Sequence, residues 1–521
     1  MGDLEEAAPS SPQMRVSSAQ GRWVLTATVL GSSMALLDST VVNVALPTIG
    51  RHLNASLGEL QWTVTAYTLT LASLILLGGS LGDRLGRRRV FLIGVVWFAL
   101  ASALCGLAPD IFVLIGSRVL QGVGGALLTP GSLAIIQATF APDDRPRAVG
   151  AWSGLGGVAS AIGPIVGGWL VQTAGWRWIF LLNLPLAVAV VAVTLRHVPE
   201  SRDLTVRGKF DIAGAGLAAL GLGAFTYALI EAPERSSHIG VIAAALAGVA
   251  AAVAFVLVER RRTRTPDVVT PMLPLDIFAS RQFSVINVIT FLVYGAFGGF
   301  LFLLVLQLQQ VSGFSPLQAG ASLLPVTVLM LGLSARSGAL AQRVGPRWLM
   351  TGGILALAVG MALMSRIGPH ASYLSDVLPA VVLVGLGLVA TVAPLTATVL
   401  ASADVRHAGA ASGVNNAVAR AAGLVSVAAL PAAVGLTAAS YHEPALFNHG
   451  FDLATLACAG ILLVAALLTA LLVDNNVLSP AGAQAAPRRP VTSCTVGAPP
   501  LLPPARQQVT ASAAGRAAGR G

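Results

Sequence analysis

Two ionisable side chains, Asp38 and Arg118, stand where a chain seldom keeps one, each deep in a long apolar run. A charge at that depth in hydrocarbon is costly enough that function is the first reading of it. The chemistry open to such a carboxylate is proton exchange. A low dielectric favours the neutral acid, a neighbouring guanidinium favours the anion, and a site balanced between the two takes up and releases protons as its access changes. Position along the helices supports the pairing. Counted from Trp23, Asp38 is fifteen residues up its segment, about 22 Å at the helical rise, which leaves roughly 8 Å of a core about 30 Å thick. Arg118 lies seven residues down from Ile111, about 10 Å along a segment running the other way. The opposite charges therefore fall at nearly one level, and they meet if both helices face a shared interior. Asp38 is read as the coupling acid and Arg118 as the group that promotes its deprotonation, with Gln121 and Asn43 as hydrogen-bond partners. A purely structural ion pair is the competing reading.

Arg420 is the other buried cation. It sits twelve residues into its segment, about 18 Å from the start and hence near the midplane. No carboxylate is expected deep in the last six segments, so Arg420 should face water, backbone carbonyls, or Asn415 and Asn416. A place in a substrate cavity or gate and the satisfaction of helix ends are both open to it. Asp211 and Glu231 fall at segment ends, where an acid suits a helix amino terminus or the interface. Trp62, Tyr67, Trp97, Trp152 and Tyr294 either line a pocket for flat molecules or gather at the membrane surface.

Other chemistries lack their equipment. There is no GxxxxGKS/T loop and no HExxH helix, and Lys209 is the only lysine, so an enzyme or an ATP-driven pump is disfavoured. Cys105, Cys458 and Cys494 form no CxxC pair and the seven histidines are scattered, so no disulfide framework, metal or other cofactor is expected.

The elements that must position these residues are apolar helices. Of the 521 residues 55% are hydrophobic and 10% charged, with a mean hydropathy of +0.78, against roughly 25% charged in a soluble domain. Fourteen windows are long enough to span a bilayer, near 23–49, 61–82, 90–107, 111–138, 148–173, 178–197, 211–231, 239–258, 283–309, 317–337, 347–366, 375–401, 408–436 and 452–474. The fold class is all-α integral membrane. The net charge of +10 is distributed by side rather than aimed at nucleic acid: of 32 Lys and Arg, four (Arg51, Arg177, Arg235, Arg366) fall in one set of connections and two (Arg118, Arg420) within helices, leaving 26 on the opposite side. The positive-inside rule makes that side cytoplasmic, with both termini on it. The polar residues 1–22 do not resemble a cleavable signal, and the stretch from 475 to 521, rich in Pro, Ala and Gly, reads as a disordered tail.

Between 259 and 282 the longest polar break divides the chain, and Gly79-Ser80-Leu81-Gly82-Asp83-Arg84-Leu85-Gly86-Arg87 echoes as Gly338-Ala339-Leu340-Ala341-Gln342-Arg343-Val344-Gly345-Pro346-Arg347. Repeated halves are a transporter signature. The first of these loops, with Arg88 and Arg89, has the GxLxDRxGRR form that resembles the signature of the major facilitator superfamily between its second and third helices. Gly79, Gly82 and Gly86 permit a tight turn, while Asp83, Arg84, Arg87 and Arg88 can make charged contacts across the seam between halves. In the second loop Gln342 replaces the acid, so that seam cannot make the same contact.

Three further segments, together with the first-helix run Leu37-Asp38-Ser39-Thr40-Val41-Val42-Asn43-Val44-Ala45-Leu46-Pro47, narrow the resemblance to the fourteen-helix drug:proton antiporter branch. Arg118-Val119-Leu120-Gln121-Gly122-Val123-Gly124 is similar to its RxxQGxG element. Gly154, Gly163, Pro164, Gly167 and Gly168 resemble the antiporter motif, whose small residues permit close packing and whose proline favours a hinge or seal. The run from Gly409 to Arg420 resembles the equivalent thirteenth helix. The resemblance implies two six-helix halves, 23–197 and 283–474, with two inserted helices within 198–258. It further implies a monomer in the cytoplasmic membrane that exchanges protons for small amphipathic or apolar compounds such as antibiotics. A proton-coupled nutrient symporter would keep Asp38 and Arg118 without needing Gly163-Pro164, and a non-transporting sensor or scaffold is the rival of another class.

Overall fold

The computed structural model describes residues 14–202, 211–233, 239–264, 273, 275–403 and 408–478. Lys209, Cys494, the first thirteen residues and the tail beyond 478 lie outside them. Among the described residues fourteen helices are long and apolar enough to cross a membrane, and there is no strand. They are α1 (Ala19–Leu53), α2 (Leu57–Leu85), α3 (Arg87–Gly106), α4 (Ile111–Thr139), α5 (Arg145–Thr173), α6 (Trp178–His197), α7 (Ile212–Glu231), α8 (Ile239–Arg264), α9 (Arg281–Val311), α10 (Pro316–Val344), α11 (Pro346–Met364), α12 (Tyr373–Ala401), α13 (Ala408–Ala433) and α14 (Pro444–Leu472).

Several helices run past their apolar windows because capping residues, not hydropathy, end them. The Ser18 side chain accepts from the Gly21 N–H at the start of α1, and Ser56 with Glu59 forms a reciprocal capping box at the start of α2. α14 begins at Pro444 rather than at the expected 452, since a proline in the first turn gives up an N–H that would have no helical partner. This corrects the expectation about acids in the second half: Asp452 lies two turns inside α14, where Asn448 Nδ2 donates to its carboxylate at 3.3 Å.

The two sets of six helices repeat one packing scheme. In the first, α4 packs on α2 and α3, α1 on α5 and α6, and α6 on α3; in the second, α12 packs on α10 and α11, α9 on α13 and α14, and α14 on α11. The echoed loops also share a backbone. Gly86 and Gly345 have φ of +113° and +91°, values that favour glycine, and each joins two helices with no further linker. The additional helices are peripheral: α7 packs on α2 and α13, while α8 packs chiefly on α7. Asp211 caps α7 through the Gly214 N–H at 2.5 Å and pairs with Arg262 of α8, which ties the two together.

Burial distinguishes the two faces of the bundle. One apolar cluster joins the halves at the arginine-poor face, bringing Val41, Ala45, Ile49 and Leu60 together with Phe300, Leu304 and Phe447. At the arginine-rich face of the first half a second cluster, around Val24, Phe91, Ile136 and Phe140, contains no residue of the second half.

Candidate functional site

Asp38 and Arg118 form a hydrogen-bonded ion pair, with side chains 0% and 1% exposed. Burying both charges carries a desolvation penalty of several kcal/mol per ion, which good geometry and further hydrogen bonds must offset. Here they are supplied. Gln121 Nε2 donates to Asp38 Oδ1 at 2.8 Å, Asn183 Nδ2 reaches the same oxygen at 3.4 Å, and both amides also donate to Ser102 Oγ. Arg118 donates through Nε to the Thr63 carbonyl at 3.0 Å and through Nη1 to Gln121 Oε1 at 2.7 Å. Its guanidinium lies over the Tyr67 ring, 4.3 Å from the centroid. Asp38 on α1, Thr63 and Tyr67 on α2, Ser102 on α3, Arg118 and Gln121 on α4 and Asn183 on α6 thus make one closed network within the first half. Cys105 adds a thiol 3.6 Å from Gln121 Oε1.

Asn43 is not part of it. Its Nδ2 donates to the Ser39 carbonyl one turn back on α1 at 3.3 Å, because five residues turn its side chain well away from the bearing of Asp38. Asn183 and Ser102 are the partners that sequence reasoning missed, and the same depth count would have found them. Asn183 stands five residues from one end of α6 and Ser102 four from the end of α3, about 6 to 8 Å, close to the level of Arg118. Of the aromatic residues, Tyr67 joins the network and Tyr294 lines a cavity. Trp62 packs beside Tyr227 of α7, Trp152 donates to Ser32, and Trp97 is 43% exposed on the outside of the bundle.

Immediately above the network, α1 meets the seam between halves. A methyl group at Gly163 or Gly167 would collide with Thr40 or Val41 of α1, and one at Gly168 would come 2.5 Å from the Pro316 carbonyl oxygen of α10. Gly320 lies in turn against the Pro164 carbonyl, so α5 and α10 touch backbone to backbone. Gly154, at the other end of α5, has nothing within 4 Å. Gln309, in the π-helical turn Gln307–Val311 that ends α9, donates to the Val44 carbonyl across the seam at 2.9 Å. Gln61 of α2 similarly donates to the Val427 carbonyl of α13 at 2.6 Å.

The charged loop after α2 places its acid beside an arginine one turn on. Asp83 pairs with Arg87 at 2.8 Å, on its own side of the seam. Glu200, just past α6, accepts the backbone N–H groups of Arg88 and Arg89 at the start of α3. Asp83 and Arg87 are thus paired within the first half, at its arginine-rich face. Gly79 lies beside Pro130 of α4, and Arg84 occupies the last turn of α2.

In the second half, Arg420 Nε donates to Asn416 Oδ1 at 2.8 Å, and both line a cavity of about 310 Å³ with Ser412, Asn415, Thr396 and Tyr294. Asn415 is held by hydrogen bonds to Asn287 and Thr290 of α9.

The model of the Major Facilitator Superfamily matches residues 28–427. The chain belongs to that superfamily. It is 36% identical to a puromycin resistance protein of Streptomyces alboniger, over 91% of this chain and 94% of the relative. It is also 36% identical to a methylenomycin A resistance protein of Bacillus subtilis, over 82% and 90%, and 35% identical to a tetracenomycin C resistance and export protein of Streptomyces glaucescens, over 80% and 76%. Among solved structures, a bacterial homologue of the human lysosomal transporter Spinster, in an inward-facing and unoccupied conformation, superposes with a TM-score of 0.61 at 18% identity, over 88% of this chain and 97% of that one. A POT family peptide transporter does so with 0.61 at 16%, over 86% and 97%. This facilitator is accordingly a multi-pass membrane transporter of small molecules, not an enzyme.

Proposed function

We propose that the protein is a proton-coupled antiporter that exports small amphipathic or apolar compounds, antibiotics and drugs among them, across the cell membrane. The relatives' names, which speak of resistance and export, support the direction and the kind of cargo. The arginine-rich face is cytoplasmic, both termini lie there, and the protein works as a monomer.

One observation carries the coupling: a carboxylate is enclosed by donors from other helices on the same helix that forms the seam. Asp38, Thr40, Val41 and Val44 lie within six residues of α1, about 9 Å. While Asp38 is an anion, Arg118, Gln121 and Asn183 hold α1 to α4 and α6. A proton on Asp38 removes the charge that Arg118 answers, weakens that tie, and frees α1 to shift against Gly163, Gly167 and Gln309. Proton loading from the outer side is thereby linked to movement of α1 at the seam, and release of the proton to the cytoplasm restores the ion pair.

Asp38→Asn in vesicles with an imposed pH gradient is the test. The variant should insert normally and lose gradient-driven drug exchange, and a pump-deficient host expressing it should lose resistance that the wild type confers. Retained uphill exchange refutes the assignment, and inward cotransport by the wild type would make the protein a symporter.

A further inference from the structure

Arg118 is paired with a carboxylate, whereas Arg420 has no carboxylate partner among the described residues. Among the described residues the one side chain that hydrogen-bonds to Arg420 is neutral Asn416, and no described carboxylate pairs with it. Ser412, Asn416 and Arg420 stand four residues apart on α13, so they form one stripe, and all three face the 310 Å³ cavity that Tyr294 and Thr396 close from the other side. Arg420 is about 18 Å from the start of α13 and Tyr294 about 20 Å from the start of α9, so both lie at the middle of the membrane. A guanidinium held there without a counter-charge attracts one, and its planar fork suits a carboxylate.

The walls continue beyond the polar cavity. Tyr294 also lines an apolar pocket of about 180 Å³ with Val293, Phe297, Met330, Leu388 and Val392. Along α12, Leu388, Val392 and Thr396 are again four apart, so a single helix face passes from apolar to polar toward the arginine-rich side. An occupant that satisfies both ends has an acidic group and an apolar body.

We propose that the Arg420 cavity receives the anionic group of the cargo, so that the transporter prefers organic acids, carboxylates or phenolates on an apolar skeleton, over their neutral counterparts. This rests on the transporter reading above and specifies its cargo. Arg420 and Asn416 hold the anion, Ser412 and Thr396 offer hydroxyl donors, and the body rests against Phe297, Met330 and Leu388.

The test compares anthracene-9-carboxylate with the neutral anthracene-9-carboxamide, by calorimetry on the full chain in lipid nanodiscs at equal pH on both faces. The wild type should bind the acid about ten-fold more tightly, equivalent to about 1.4 kcal/mol. In Arg420→Gln the acid-to-amide ratio should fall to near one, and Arg420→Lys, which keeps the charge and guards against a folding defect, should retain part of it. Equal or absent binding of the two by the wild type, or an undiminished ratio in Arg420→Gln, overturns the cargo assignment. Because no proton gradient is applied, that result leaves the coupling role of Asp38 to stand or fall on the vesicle experiment.

Discussion

Replacing Arg118 by methionine isolates the energetics of the buried pair. The change takes a donor from the Asp38 carboxylate, from Gln121 Oε1 and from the Thr63 carbonyl, all in a site where water does not compensate. Breaking a buried pair from one side costs about 3–5 kcal/mol, since it leaves the other charge uncompensated. The double variant Asp38→Asn with Arg118→Met removes both charges together. It should be more stable than Arg118→Met alone, and the two single costs should fail to add by about 3 kcal/mol, roughly a hundred-fold in the folded-to-unfolded ratio. Equilibrium unfolding of the four proteins in mixed micelles of rising dodecyl sulfate content measures this cycle directly. Additivity within about 0.5 kcal/mol would mean that the charges are not coupled in the folded protein, and the reasoning that links proton loading to helix movement would fail with it.

Two further outcomes follow from the seam. Gly168→Ala forces a methyl group onto the Pro316 and Leu317 backbone and should part α5 from α10, making a cysteine placed at Val41 reactive to a membrane-impermeant thiol reagent; Gly154→Ala, which meets nothing within 4 Å, should leave that labelling at background. Gln309→Ala removes one hydrogen bond across the seam, worth about 1 kcal/mol, and should shift the distance distribution between spin labels on the arginine-poor ends of the two halves by about five-fold in population toward the separated state.

Much of this was legible along the chain because the bilayer imposes one dimension on it. Hydrophobic length locates each of the fourteen spans, and a constant rise per residue converts position into depth. Asp38 and Arg118 could be set at one level before any contact was known, and the Gly86 and Gly345 turns are visible as an echo. Depth says nothing about bearing, however. Asn43 and Gln121 are both close to the right level, yet only Gln121 faces the carboxylate, because the rotation of each helix is set by neighbours that are remote in sequence. Asn183 and Ser102 entered the network for the same reason, as polar residues whose orientation was undecided until α3, α4 and α6 packed around α1.

Helix ends were the other blind spot, since Asn448 and Asp452 lower the hydropathy of a segment that Pro444 nevertheless starts as helix. Apolar length and helical rise alone give a membrane bundle of repeated halves and the levels of Asp38, Arg118 and Arg420 within it, but not that of Asp452. That Arg118 meets Asp38 while Arg420 faces a cavity, and that Asp83 pairs with Arg87 of its own half, came only with the packed helices. Those outcomes depend on which helix faces meet, and the packing of whole helices settles that.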